Sequence, residues 1–371
     1  MPKFIAIEPL EREPLDKIGF TWHKDEDGEY IIKDKLIALS EVEAEAYYKA
    51  ADELYKMYEA GAEYVIENEL FELLDIPSNV REPIKKSWTD ERGNHLYGRF
   101  DLSGGIDNQP IKLIEFNADT PTLLLESSVI QWMLLENSSL ENKKQFNSIY
   151  EAIGEKAVAI SKGDKGEFSK FLFSCVKDIE EETNTTKLLA QMLKDKGLLT
   201  HFSFLEDIAF EKGSVIDESE KLYDFWFKLY PWEDMLAFDG KLNTKVLNPA
   251  FTLLYQSKGM LAILYKLFPD SPYLLKSSFE PIQEKYVKKR MFGREGANID
   301  IVEGEEVLFS TEGIYEEYSA VYQEYVDFIR DDRGLYYQAG VFYSGKPCGV
   351  GFRRGAEILD DMSQFVGHLI E

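Results

Sequence analysis

The side chains best suited to bind a cation and a phosphate crowd one stretch, YGRFDLSGGIDNQPIKLIEFNADTPT, which carries Arg99, Asp101, Glu115, Asn117 and Asp119. Arg99 and Asp101 alternate with Phe100 and Leu102, and Glu115 and Asn117 alternate with Ile114 and Phe116, so strands would put the polar groups on one face. The linker SGGIDNQP is rich in turn formers, which predicts a hairpin over roughly residues 96–119. Paired strands then gather two carboxylates, a carboxamide and a guanidinium on one sheet surface. Asp, Glu and Asn oxygens suit a hard divalent cation, and Mg²⁺ is commonly held by one or two carboxylates plus substrate phosphates. The same alternation fits a solvated hairpin face with an ordinary Arg–carboxylate pair, and spacing does not separate the two.

Three later clusters carry related chemistry. YVKKRMFGREGANIDIV places Lys288 and Lys289 on a strand, followed by a loop with Gly293, Arg294 and Gly296. Glycines let backbone N–H groups approach phosphate oxygens while nearby cations supply charge. A plain hairpin turn between solvated lysines reads the same way, and the absence of GxxxxGK[ST] here excludes a P-loop. Tyr322, Gln323, Glu324 and Tyr325 form a polar pair inside an aromatic strand, which fits either an adenine-side edge or simple surface alternation. Arg353 and Arg354 close the strand GVGFRR, as bidentate phosphate ligands or as a charged edge that blocks sheet aggregation.

The elements that must position these groups follow from periodicity. Residues 41–75 predict a helix, Pro121 predicts the start of another through Trp132 and Met133, and FLFSCVKD predicts a buried strand. TKLLAQMLKDKG predicts a helix stopped by Gly197, HFSFLEDIAF a strand-like run, DFWFKLYPWEDML an aromatic helix broken or started at Pro231, and SKGMLAILYKLF a helix. From Tyr286 onward strands and tight turns dominate. The expected class is α+β or α/β, with an α/β middle and a small β-rich lobe near 270–330.

With 371 residues, 44% hydrophobic, the chain can bury sizeable cores in two or three lobes. Its net charge of −26 repels nucleic-acid backbones, so any anionic ligand needs locally concentrated cations. Cys175 and Cys348 are the only cysteines, too few for a disulfide framework or a zinc cluster. The charged start MPKFIAIEPLEREPLDKIG lacks a signal-peptide core and no stretch approaches a membrane span, so the expected setting is soluble, reducing and cytoplasmic.

The run GRFDL…IKLIEFNADTPT resembles the signature of the glutathionylspermidine synthetase family of ATP-grasp ligases. KLYPWE, NPAFTLLYQSKGMLAILYKLF, YVKKRMFGREGANIDIV and GVGFRR before DMSQFV follow in the family's order, over roughly residues 10–370. The chain looks like a stand-alone member: nothing precedes the synthetase-like region that could be an amidase domain, and no Cys lies upstream of the hairpin.

The resemblance implies an ATP-dependent acid–amine ligase that works through an acyl phosphate, with ATP as co-substrate and two Mg²⁺ ions. It implies a circularly permuted ATP-grasp fold, one unit over residues 1–371, with nucleotide held between two lobes. Asp101, Glu115 and Asn117 match metal ligands, and Arg99 matches the arginine beside the transferring phosphate and acyl group. Lys258, Lys289, Gly293, Arg294, Gly296, Gln323 and Arg353 match ATP contacts, with Arg353 preferred over Arg354 from its spacing after Gly351. Thr120, Thr122 and Glu233 match positions that hold the peptide acid. Thr replaces Ser at the first two, and Glu295 puts a negative charge in the glycine loop. Glutathione and spermidine are the family's best-known acid and amine. The alternatives are a nucleotide- or metal-binding homologue that has lost the reaction, and an acidic cation-binding scaffold.

Overall fold

The structure, a computed structural model, describes residues 1–23, 29–162, 168–235, 242–360 and 363–371. Strands Gly98–Ser103 and Lys112–Asn117 form an antiparallel hairpin, with Arg99 opposite Asn117, Phe100 opposite Phe116 and Asp101 opposite Glu115. Phe100 and Phe116 stack with centroids 3.8 Å apart, and both meet Tyr58 of the helix Glu41–Glu67. The aromatic half of the alternation thus seals against a helix, and the polar half faces the other way. That polar face is not solvated: the Arg99 and Asp101 side chains are only 6% and 3% exposed.

The hairpin is the edge of a six-stranded sheet that continues through Tyr336–Tyr343, Pro347–Gly355 and Gln364–Val366, with Ile329–Arg330 paired to Tyr336–Tyr343. This pairing brings the C-terminal strand that bears Arg353 within one strand of Asp101. Gly340 lies opposite Asp101, and a Cβ there would sit 2.9 Å from Arg99 Cδ, so the bare backbone makes room for the arginine stem.

The helix Glu41–Glu67 opens with a capping box: Ser40 Oγ accepts from the Glu43 N–H, and the Glu43 carboxylate accepts from the Ser40 N–H. It ends before the expected residue 75, because Glu69 turns left-handed and a 3₁₀ turn, Leu70–Leu74, takes over to bury Phe71 and Leu74. Pro121 does not itself open a helix. A π-turn at Glu126–Ile130 leads into the helix Gln131–Glu136.

A four-stranded parallel sheet, in the order Lys245–Leu247, Phe225–Leu229, Lys170–Cys175, Leu199–Phe202, forms the middle of the chain, with the helix Glu180–Asp195 crossing between two of its strands. The aromatic helix expected for DFWFKLY is instead the strand Phe225–Leu229. All five of its residues are buried, and a parallel strand covered on both faces shows no alternation to reveal it. Pro231 precedes a 3₁₀ turn, Trp232–Asp234, and Leu236 of that run lies outside the described residues. HFSFLEDIAF divides into the end of one strand, a 3₁₀ turn and the strand Ala209–Glu211.

A five-stranded antiparallel sheet, in the order Ser277–Ser278, Ala320–Glu324, Tyr286–Arg290, Asp300–Glu303, Glu306–Ser310, lies across from the hairpin. Among the described residues no helix is long and apolar enough to cross a membrane. Asp361 and Met362 of DMSQFV lie outside the described residues.

Candidate active site

The hairpin and the five-stranded sheet enclose a cleft of about 560 Å³. Arg99 Nε and Nη2 donate to the two Asp101 oxygens at 2.7 and 3.0 Å, a forked pair, while Nη1 donates to the Thr122 carbonyl at 2.8 Å. Arg99 thereby ties the hairpin to the segment carrying Thr120 and Thr122, both on the cleft wall. Asn117 Nδ2 lies 3.2 Å from Asp101 Oδ2 and 3.4 Å from Glu115 Oε1. One atom thus reaches both carboxylates. A 180° turn of the amide, which exchanges O and N, would add a third oxygen to that donor set. Asp101, Glu115 and Asn117 therefore fit a hard divalent cation in number and type.

Cations converge from the opposite wall. Lys258 lies between the short helices Thr252–Gln256 and Met260–Leu267, with Nζ 2.9 Å from Glu115 Oε2 and 2.6 Å from the Gly293 carbonyl it donates to. Lys289 Nζ donates to Gln323 Oε1 at 2.7 Å and to the Ile114 carbonyl at 3.1 Å. Gln323 in turn donates to the Leu113 carbonyl at 3.0 Å, so this pair covers the free edge of the hairpin. Burial raises the Glu115 pKa, but Lys258 and Lys289, with Arg99, outweigh it and hold the carboxyl down to about 2. Burial pushes Lys289 down to about 8, opposed by Glu115 and reinforced by Lys258.

Gly293, Arg294 and Gly296 form the connection between Tyr286–Arg290 and Asp300–Glu303, and all three line the cleft. Gly296 has φ +71°, and a Cβ there would lie 2.8 Å from the Leu359 carbonyl. The loop therefore meets the segment after Arg353 at a point where only glycine fits without strain. Arg353 lines the cleft and donates to the Asp360 carbonyl, whereas Arg354 is buried 3.2 Å from Asp331. Alternation along the strand thus gives the two arginines different surroundings.

Glu233 differs from the rest. It is buried, pairs with Arg294 and is not on the cleft wall. Behind it, Asp119 accepts from Lys228 Nζ at 3.2 Å and from the Trp232 N–H at 2.8 Å.

Sequence reasoning missed an acidic side of the cleft. Glu181, Glu182 and Glu357 line it beside Glu295, the acid already noted in the glycine loop, and among the described residues Glu182 Oε2 is buried with no hydrogen-bond partner. Burial, then Glu181 and Glu295, pushes Glu182 up to about 7. Glu181 and Glu182 stand in the first turn of the helix Glu180–Asp195, where acids are common for helix-dipole reasons, so the run EEE carries no distinctive signal. Glu126 was missed as well. It is 1% exposed, accepts from Tyr30 Oη at 3.2 Å, and is pushed up to about 7 by burial and then by Glu181. A carboxyl whose folded pKa lies above its unfolded value adds stability at low pH and loses it as pH rises through the folded pKa. Glu126→Gln, which cannot ionise, is expected to melt above the unaltered protein at pH 8, with the gap narrowing toward pH 5. A gap that does not vary between those pH values in scanning calorimetry would contradict the shift.

A set of cations facing a carboxylate–carboxamide cluster, inside so acidic a chain, has the donor chemistry to hold an anion together with a metal. The class that this cleft and the chain's relatives define is that of ATP-dependent C–N ligases, which use ATP and typically Mg²⁺. The chain belongs to the glutathionylspermidine synthase preATP-grasp family, whose model matches residues 3–371. It is 32% identical over 310 residues to a Haemophilus influenzae protein described as an acid–amine ligase, covering 78% of this chain and 77% of that protein. It is 28% identical over 347 residues to the bifunctional glutathionylspermidine synthetase/amidase of Escherichia coli, covering 84% of this chain and 55% of that one. Trypanothione synthetase of Crithidia fasciculata is 26% identical over 337 residues, covering 81% of this chain and 51% of its own length. The chain thus spans about half the length of these two synthetases. The fold is shared with a glutathione-synthetase-like effector from Globodera pallida, at a TM-score of 0.59 and 11% identity, covering 91% of this chain and 89% of that one.

Proposed function

We propose that this chain joins a peptide-like carboxylate, of the glutathione class, to a polyamine-like amine through an acyl phosphate. The observation that carries the reading is the single cleft in which Arg99, Asp101, Glu115 and Asn117 face Lys258, Lys289 and the glycine loop. ATP would lie between the hairpin and the five-stranded sheet, a permuted ATP-grasp arrangement with the hairpin early in the chain and the loop near 270–330. Asp101, Glu115 and Asn117 would hold Mg²⁺, as two ions, which when bound neutralise charge on the β- and γ-phosphates. Lys258, Lys289, Arg294 and Arg353 hold the phosphates, Gly293 and Gly296 let the loop backbone approach them, and Gln323 stands on the adenine-side strand. Arg99 stabilises charge as the acid's carboxylate oxygen bonds to the γ-phosphorus and the bond to ADP breaks. Thr120 and Thr122 hold the peptide, and Glu233 acts through Arg294. The amine nitrogen then bonds to the acyl carbon and phosphate leaves. The acidic side formed by Glu181, Glu182 and Glu295 suits ammonium groups and favours a polyamine over a neutral nucleophile.

The test is amine-stimulated phosphate release from Mg-ATP with glutathione and spermidine as the first pair, the amide product being sought by mass spectrometry. Mg-ATP alone is expected to raise the melting temperature, since a ligand at 100 times its Kd stabilises by about 2.7 kcal/mol. No shift at millimolar Mg-ATP, together with no phosphate release, would remove this reading.

A further inference from the structure

We infer that Tyr30 and Glu126 form a proton acceptor for the attacking amine, with Tyr30 at the cleft and Glu126 behind it. The inference rests on the ligase reading above. An amine that reaches an acidic cleft as an ammonium ion has no lone pair, so a proton must leave before nitrogen can attack. Tyr30 lines the cleft, whereas Glu126 does not, and the hydroxyl that donates to Glu126 Oε1 at 3.2 Å links the buried carboxyl to the cavity.

The surroundings fit that task. Glu126 opens the π-turn Glu126–Ile130, a distortion frequent at functional sites, shortly after Thr122. The turn is locked to the strand of Arg353: Gln131 Nε2 donates to the Val350 carbonyl at 3.0 Å, and a Cβ on Gly351 would lie 2.5 Å from Ser127 Oγ. Tyr30 lies within electrostatic reach of both Arg99 and Arg353, two of the arginines that line the cleft beside the proposed reacting groups. Glu181 faces both Tyr30 and Glu126, and the Trp22 N–H comes near Glu126 without a hydrogen bond of ordinary geometry. Burial and Glu181 keep Glu126 a stronger proton acceptor than a solvated carboxylate.

One ammonium N–H bond breaks and its proton goes to Tyr30 Oη, while the Tyr30 proton passes to Glu126 Oε1. The freed lone pair bonds to the acyl carbon, the C–O bond to phosphate breaks with its electron pair on the phosphate oxygen, and a second N–H proton passes from nitrogen to the departing phosphate, leaving a neutral amide. Glu126 then gives its proton back to Tyr30, whose hydroxyl releases one to water entering the cleft as the products leave.

The experiment compares the unaltered protein with Glu126→Gln and Tyr30→Phe, using Mg-ATP and glutathione with either spermidine or hydroxylamine. Hydroxylamine carries a free lone pair at neutral pH and needs no proton removed before attack. The ratio of spermidine to hydroxylamine rates is expected to fall about 100-fold in both variants. The rise of the spermidine rate as pH passes about 7 should flatten in Glu126→Gln. A ratio that stays constant, whether both rates persist or fall together, overturns the inference and leaves Tyr30–Glu126 as a structural tie. Gln keeps an oxygen that accepts from Tyr30, so this variant separates proton transfer from folding. If the unaltered protein forms no hydroxamate, the ligase reading fails first and takes the inference with it.

Discussion

Arg99→Ala is expected to lower turnover by about 10³–10⁵-fold, the range of arginines that stabilise a transferring phosphoryl group. The size of the effect comes from two functions in one side chain. The guanidinium faces the cleft, and its fork holds both Asp101 oxygens while its third nitrogen reaches the Thr122 carbonyl. Under the proposed roles its loss would take a cation from the reacting centre, and it frees the Asp101 carboxylate from its fork. Arg99→Lys keeps the charge but not the planar fork, so it should recover only part of the rate. Phosphate release measured beside a melting curve separates chemistry from stability. Full turnover in Arg99→Ala would dismiss the assignment.

The largest effect on stability is expected at Lys228. Lys228 and Asp119 are both wholly buried, 3.2 Å apart, and the ammonium also donates to the Tyr230 carbonyl at 2.7 Å and lies 4.3 Å over the Trp232 ring. Lys228→Met leaves Asp119 as a buried carboxylate without its cation, and breaking such a pair from one side costs about 3–5 kcal/mol. Removing both charges, as Asp119→Asn with Lys228→Met, should recover most of that loss because no isolated charge remains. Urea denaturation of both variants provides the check. A single variant as stable as the unaltered protein would mean that water or rearrangement relieves Asp119.

The parts of the site legible in the sequence share one property: local periodicity is enough to specify them. Arg99, Asp101, Glu115 and Asn117 fall on one face because side chains alternate along a strand, whatever that strand pairs with. The lysine strand and glycine loop were readable for the same reason. Phe225–Leu229 was misread because a strand buried on both faces in a parallel sheet has no alternation, and its aromatic run mimics a buried helix. Glu181 and Glu182 stayed hidden because acids at a helix start are explained by the helix alone.

By itself the sequence determined the donor types of the two cleft walls and the turns that present them, since period and turn chemistry act over a few residues. Only the tertiary structure decided which neighbours those groups meet. Arg353 enters the cleft and Arg354 the interior because one strand pairs them with opposite surroundings. Glu233 faces Arg294 from 61 residues away, and Tyr30 reaches Glu126 across 96. Contacts at such separations depend on how sheets and loops dock, and that docking follows from burial summed over the whole chain, which no local pattern records.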